Sequence, residues 1–273
     1  MTCDLHTHST CSDGQYTPAQ LVGLAKEAGI QLLALTDHDT FAGTGEAVEA
    51  GRRLGVRVLP GVELSAREYR NLHILGYGFS PAAPQLQELC ARMRASRDQR
   101  KYRILSFLKG KGVAIDLAEV EALAKGGVVG RPHFAQVMVR HGLVESNREA
   151  FDRYLDTEEF QRTERRKASA QECIGAIKAS GGWASLAHPY QIGLENGPLE
   201  ELVKTLRGYG LDALECWYPR HTAAQRAFYL ELADKLGLEA TGGSDFHGEK
   251  VKPDVRLATY TLGGRLPFGL RFP

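Results

Sequence analysis

Short apolar runs that close on a histidine or an acid constrain this chain more than any other feature. Residues 31–36 lead into Asp37-His38-Asp39, residues 56–62 into Glu63, and residues 183–187 into His188. Residues 3–5 precede His6 and His8, residues 238–241 precede Asp245 and His247, and His73 sits near the start of the run 72–76. A further run, 211–216, completes the set. Helical stretches at 18–28, 43–54, 170–180, 199–207 and 223–236 separate them, the first with Pro18 suited to an opening turn. Near-continuous apolar strands alternating with amphipathic helices predict a parallel sheet covered by helices, an α/β barrel of about seven strands rather than the regular eight. A chain of 273 residues has length for that barrel and a small additional piece.

The middle of the sequence reads differently. Residues 84–108 form one long predicted helix, and 113–166 is helical and polar with no strand-like run. Gly110, Gly112, Gly126, Gly127 and Gly130 punctuate it. The expectation is a barrel built from 1–99 and 169–273, with a helical insertion over 100–168 that caps the pocket and supplies substrate contacts.

A net charge of +1 excludes a strongly basic surface as the main device for holding nucleic acid. A local patch survives that test, since residues 92–111 hold eight basic side chains against one acid, Asp98. The N-terminus lacks a secretory pattern, and no apolar run approaches the roughly 20 residues that cross a bilayer. Five cysteines, odd in number and without a CxxC pair, fit a reducing cytoplasm. Cys173 and Cys216 read as core residues, Cys11 as part of a polar loop, and His141 as a helix-end histidine. No membrane association is expected and no protein partner is evident.

Strands of a parallel barrel send their C-terminal ends to one mouth, so His6, His8, Asp13, His38, Glu63, His73, His188, Asp245 and His247 can meet there. In extended chain the i,i+2 spacing turns His6 and His8 the same way. Imidazole with carboxylate suits Mn²⁺, Fe²⁺ or Zn²⁺. Nine side chains exceed one coordination sphere, which predicts two or three divalent ions, with Glu63 suited to bridge. Asp4, Asp37 and Asp39 are candidates to orient the imidazoles from behind, or to cap turns.

Taken together, Asp4-Leu5-His6-Thr7-His8-Ser9, Ser12-Asp13-Gly14, Thr36-Asp37-His38-Asp39 and Pro60-Gly61-Val62-Glu63 resemble the opening motifs of the PHP (polymerase and histidinol phosphatase) superfamily. His73-Ile74-Leu75-Gly76-Tyr77, Ala187-His188-Pro189 and Gly243-Ser244-Asp245-Phe246-His247-Gly248 continue the resemblance in order. It implies a distorted (β/α)7 barrel with a trinuclear centre, Mn²⁺ first and Fe²⁺, Zn²⁺ or Mg²⁺ as alternatives. By position, His6, His8, Glu63 and Asp245 would hold one ion, Glu63, His73 and His188 a second, and Asp13, His38 and His247 a third. Within the superfamily the chain looks like stand-alone members that hydrolyse 3',5'-nucleoside bisphosphates and short RNA from its 5' end. Gly130-Arg131-Pro132-His133 and Tyr218-Pro219-Arg220-His221 belong to that likeness.

The expected chemistry is attack of a metal-held hydroxide on a phosphate ester, most simply the 3'-phosphate of a nucleoside 3',5'-bisphosphate. Arg131, His133, Arg97, Arg100 and Lys101 are the expected phosphate contacts, a guanidinium fork matching phosphate oxygens. His221 or His133 would protonate or contact the leaving group. Four other readings stay open: a 5'-3' exoribonuclease on short 5'-phosphorylated RNA, a histidinol-phosphate phosphatase, an amidohydrolase, and a non-catalytic nucleotide-binding protein.

Overall fold

The apolar runs become strands because they pack on both faces, inward on one another and outward on helices. In the computed structural model, which describes residues 2–124, 129–162, 167–257, 260, 261 and 268, they are β1 (Thr2–Thr7), β2 (Leu32–Leu35), β3 (Arg57–Ser65), β4 (His73–Tyr77), β5 (Trp183–Leu186), β6 (Ala213–Trp217) and β7 (Glu239–Gly242). A two-residue β8 (Tyr260–Thr261) pairs antiparallel with the start of β1. The order β7-β6-β5-β4-β3-β2-β1-β8 forms one sheet. Beyond β7 the chain folds onto β1, with the Asp245 amide donating to the His6 carbonyl at 2.8 Å and the His8 amide to the Phe246 carbonyl at 2.9 Å. That contact brings the sheet near to closure as a seven-stranded barrel.

The expected parallel sheet is corrected at β4, which runs antiparallel to both β3 and β5. The connection from Ser65 to His73 is too short for a crossover helix, so the chain turns back at the mouth. His73, at the start of β4, therefore lies at the same end as Glu63, near the end of β3. Two boundaries also differ from the reading above: β1 extends far enough to include His6, and β6 starts at Ala213 and places Glu215 at its centre.

The chain's helices follow in order. Thr17 and Gln20 form a capping box ahead of α1 (Pro18–Glu27). Next come α2 (Thr44–Leu54) and α3 (Pro84–Asp98), then α4 (Arg100–Gly110). The single helix expected over 84–108 is thus two, divided at Gln99. After these lie α5 (Leu117–Ala124), α6 (Arg131–Arg140), α7 (Asn147–Ala150) with a π-turn Phe151–Leu155, and α8 (Glu158–Arg162). Barrel helices resume with α9 (Ala170–Ala179), α10 (Asn196–Gly208) and α11 (Ala223–Leu236), and boxes at Ser169/Glu172 and Thr222/Gln225 start α9 and α11. Gly126 and Gly127 lie outside the described residues.

The chain divides into two compact units, Met1–Ala91 with Lys167–Pro273, and Arg92–Arg166. In the first, Leu21, Val22, Ala25, Ala47 and Ala50 of α1 and α2 pack on Leu33 and Leu35. Leu32, Ala34, Leu59, Leu75 and Tyr77 belong to a separate inner cluster with Cys3 and Leu5. Alternation carries the side of Leu59 on to Glu63 and the side of Leu75 back to His73, so polar groups crown an apolar plug. The second unit has its own core of Ile104, Leu108, Phe134, Val137, Met138, Leu155 and Phe160. Cys3, Cys90, Cys173 and Cys216 are buried free thiols, and Cys11 is exposed. Among the described residues no helix is long and apolar enough to cross a membrane.

Candidate metal centre

Five imidazoles converge on the carboxylate of Glu63. Glu63 Oε1 lies 2.7 Å from His73 Nδ1 and 3.0 Å from His188 Nε2, and those two ring nitrogens are 3.3 Å apart. Glu63 Oε2 lies 2.9 Å from His38 Nδ1, 3.3 Å from His8 Nε2 and 3.4 Å from His6 Nε2. Asp245 Oδ1 faces the same rings, 3.7 Å from His6 Nε2, 3.4 Å from His8 Nε2 and 3.3 Å from His247 Nδ1. At the rim, Asp13 Oδ1 is 3.3 Å from His247 Nε2 and 3.7 Å from His8 Nδ1, and Asp13 Oδ2 is 3.7 Å from His38 Nε2. Three groups have ligand atoms mutually within 4.8 Å: His8, Asp13, His38 and His247; His6, His8 and Glu63; and His38, Glu63 and His73.

The backbone beneath these rings is pinned by acids. Asp4 Oδ1 accepts from the amides of His6 (3.2 Å) and Ser244 (2.9 Å), tying β1 to the loop after β7. Asp37 Oδ1 accepts from the Ser9 amide at 2.8 Å and the Ser12 hydroxyl at 2.6 Å, and its Oδ2 accepts from the Ser9 hydroxyl at 2.7 Å. Asp39 Oδ1 accepts from the Ser65 amide at 3.0 Å. Asp39, His188 and Asp245 all hold left-handed backbone, with φ of 55°, 25° and 58°. Strain of this kind gathers at functional sites, where surrounding bonds over-determine it.

Sequence reasoning missed Glu215 and Lys252, and named Tyr218 within a motif without giving it a role. Glu215, fully buried in β6, accepts from His6 Nδ1 at 3.1 Å and from the His188 amide at 2.6 Å. Lys252 Nζ donates to Asp245 Oδ2 at 2.7 Å and the Tyr218 hydroxyl donates to the same oxygen at 3.0 Å, leaving Oδ1 turned to the imidazoles. The signal for Glu215 was available, since a lone acid in the run Ala213-Leu214-Glu215-Cys216 needs a buried partner.

Burial drives His6 toward its neutral form, but Glu215, Glu63 and Asp245 outweigh it and hold its pKa well above the ordinary value. His8 behaves alike: against burial, its bonds to Asp245 and Glu63 push it up to about 9. Burial, helped by neighbouring histidines, prevails at His73 and at His247, each lowered to about 4. Glu63, Asp245 and Asp13 sit below the carboxylate range although burial opposes this, because the imidazoles around them favour the anions. His6 Nε2, both nitrogens of His8, His38 Nδ1, Glu63 Oε2 and His188 Nδ1 are buried without a partner in hydrogen-bonding geometry among the described residues. Each such group costs about 1–3 kcal/mol. Buried imidazole nitrogens beside ionised carboxylates, which release their protons as a cation binds, are the donor set that divalent cations satisfy, so these residues fit a multi-metal site.

The remaining candidates have defined surroundings. His221 is buried, its Nδ1 donating to the Cys216 carbonyl at 3.0 Å, with Tyr190, Tyr218 and Tyr229 around the ring. Burial lowers its pKa, so neutral His221 offers Nε2 as an acceptor. In the second unit, Arg131 Nη1 donates to Asp156 Oδ1 at 2.9 Å and to the Leu155 carbonyl at 3.1 Å. His133 Nδ1 accepts from the Gly130 amide at 3.0 Å, which leaves Nε2–H as a donor. Lys101 Nζ donates to Glu121 at 2.7 Å, and Arg97 and Arg100 are half-buried. His141 ends α6 and meets Glu119 at 2.8 Å.

The profile of the PHP domain family matches residues 4–161. The chain is 35% identical over 245 residues to a 5'-3' exoribonuclease of Haemophilus influenzae, covering 89% of both chains. It is 34% identical over 247 residues to a 3',5'-nucleoside bisphosphate phosphatase of Chromobacterium violaceum, covering 89% of this chain and 86% of the other. A solved structure described as an amidohydrolase from Chromobacterium violaceum, with bound sulfate and no metal, superposes with a TM-score of 0.79 at 31% identity, over 97% of this chain and 93% of that one.

Proposed function

This chain belongs to the PHP domain family, and from that premise we propose that it is a metal-dependent phosphoesterase that shortens 5'-phosphorylated RNA from its 5' end. The observation that supports this most is the convergence of six imidazoles with the carboxylates of Asp13, Glu63 and Asp245. Its likeness to an exoribonuclease over nearly the whole length favours the RNA substrate over the bisphosphate expected above. In this reading His6, His8, Glu63 and Asp245 would hold one ion, Glu63, His73 and His188 a second, and Asp13, His38 and His247 a third. Bound divalent cations, Mn²⁺ in this proposal, supply a water of lowered pKa and neutralise phosphoryl oxygens.

The chain's own groups do the rest. Lys252 and Tyr218 fix Asp245 through one oxygen, so its other oxygen stays directed at His6 and His8. Glu63 keeps five rings within reach of one another through its two oxygens. Arg131, His133, Arg97, Arg100 and Lys101 are proposed to bind phosphate oxygens, for which Arg131 must share or leave Asp156. His133 can donate from Nε2, whereas His221 in its neutral form accepts there; both are proposed as leaving-group contacts.

A second reading, removal of the 3'-phosphate from nucleoside 3',5'-bisphosphates, is favoured by the Chromobacterium violaceum relative. The two substrates share a geometry, since one phosphate reacts while a neighbouring phosphate is held. The test is turnover by Mn²⁺-loaded protein on a 5'-phosphorylated oligoribonucleotide, the same oligomer with a 5'-hydroxyl, adenosine 3',5'-bisphosphate, histidinol phosphate and an amide panel. Stepwise release of mononucleotides from the 5' end is expected. Phosphate release from the bisphosphate without shortening of the RNA would select the second reading, and cleavage of amides alone would reject both.

A further inference from the structure

Glu215 links two rings that arrive from different strands. It lies at the centre of β6 with no exposed surface, accepting through Oε1 from His6 Nδ1 of β1 and through Oε2 from the His188 amide just past β5. The His6 and His188 rings stack at 5.5 Å between centroids and 26° between planes. From this juxtaposition we infer that Glu215 is a positioning residue that sets the tautomer of His6 and the backbone of His188 together. The inference deepens the metal-centre reading and rests on it.

A carboxylate can only accept, so His6 must carry a proton on Nδ1. In neutral His6 the lone pair then sits on Nε2, which lies 3.4 Å from Glu63 Oε2 and 3.7 Å from Asp245 Oδ1, where a cation would be shared. A ligating imidazole backed by a carboxylate gains both orientation and basicity. The other oxygen meets a different need. His188 adopts φ of 25°, a strained conformation for a residue with a Cβ. A hydrogen bond to a charged acceptor is stronger than one between neutral groups, so Glu215 Oε2 anchors that strained peptide.

Both oxygens therefore act as acceptors at once, and glutamine cannot reproduce that. If the amide nitrogen of Glu215→Gln faces His6, it donates to Nδ1 and moves the ring proton to Nε2, which can then no longer bind metal. If it faces His188, two donors meet and the strained peptide loses its anchor. Size is unchanged in either case, so the variant isolates hydrogen-bond polarity from packing.

The experiment compares wild type and Glu215→Gln, with metal affinity from competition titration with Mn²⁺ and Zn²⁺. Ring tautomers are read from ¹⁵N-histidine NMR of the Zn²⁺-loaded protein, and folding from circular dichroism. A 10- to 100-fold loss of affinity, roughly the range for partners behind a ligand, with a folded variant and altered His6 ring nitrogens, is the expected result. Wild-type affinity together with an unaltered His6 tautomer would overturn it. Should the variant fail to fold, the Zn²⁺-loaded wild type decides: a proton on His6 Nδ1 supports the inference and a proton on Nε2 refutes it. A wild type that binds neither Mn²⁺ nor Zn²⁺ would instead reject the metal-centre reading itself.

Discussion

At the scale of single residues, Glu63 and Asp13 make the sharpest contrast. Glu63 is 1% exposed and divides five imidazoles between its two oxygens, whereas the Asp13 carboxylate is 39% exposed and reaches three from the rim. Partners lying behind a ligand are worth about 10- to 100-fold in metal affinity, so replacing the shared carboxylate should cost more than that. Glu63→Gln is expected to lose most of its bound Mn²⁺ and nearly all turnover, and Asp13→Ala a smaller share. Elemental analysis of the two purified variants measures this, and equal losses would count against a shared role for Glu63. Seven of the converging side chains were legible because an imidazole or acid that ends or follows an apolar run has no bland packing role, while His73 opens its run and Asp13 lies in the polar loop after His8. Glu215 was less so, being enclosed within its run rather than ending it. Lys252 gave no sign at all, since a lysine in a polar loop is ordinary until Asp245 is seen beside it.

At the scale of elements, the barrel closes where the chain leaving β7 passes β1. A Cβ built on Gly243 would lie 2.2 Å from the His6 Cβ and 2.6 Å from the His6 amide nitrogen. Only glycine permits that approach, and the approach fixes where His6 sits. Gly243→Ala should destabilise the protein by about 1–3 kcal/mol, the usual cost of overpacking, and also weaken metal binding by displacing His6. Urea denaturation with and without Mn²⁺ checks both effects, and an unchanged stabilisation by the metal would separate closure from the site. Existence of the strands was readable from hydrophobicity, but direction was not, because an apolar run looks the same both ways. The short step from Ser65 to His73 held the missing information, as a parallel crossover needs about a dozen residues or more. The division at Gln99 had no such marker, for no glycine or proline stands between α3 and α4.

At the scale of the whole molecule, the candidate ligands and the insertion are separate investments of the chain. None of the nine lies within Arg92–Arg166, and that unit encloses a core of its own. Phe134→Ala, which empties a fully buried position there, should cost about 3–5 kcal/mol in that unit. Bound metal should stay at the wild-type level, which elemental analysis beside a urea titration would establish; parallel loss of metal would show that the centre depends on the insertion's core. The reversed β4 has a consequence for anyone who would graft or shuffle loops on this scaffold. Loops at the mouth of a regular barrel join a strand to a helix and tolerate exchange, since the helix absorbs a change in length. The segment from 66 to 72 joins two hydrogen-bonded neighbours instead, with Ser65 opposite His73. Deleting one residue from it and sliding β4 by one step would swing His73 from the lumen to the outer wall. Length at that position is therefore part of the chemistry, and a donor loop must match it residue for residue.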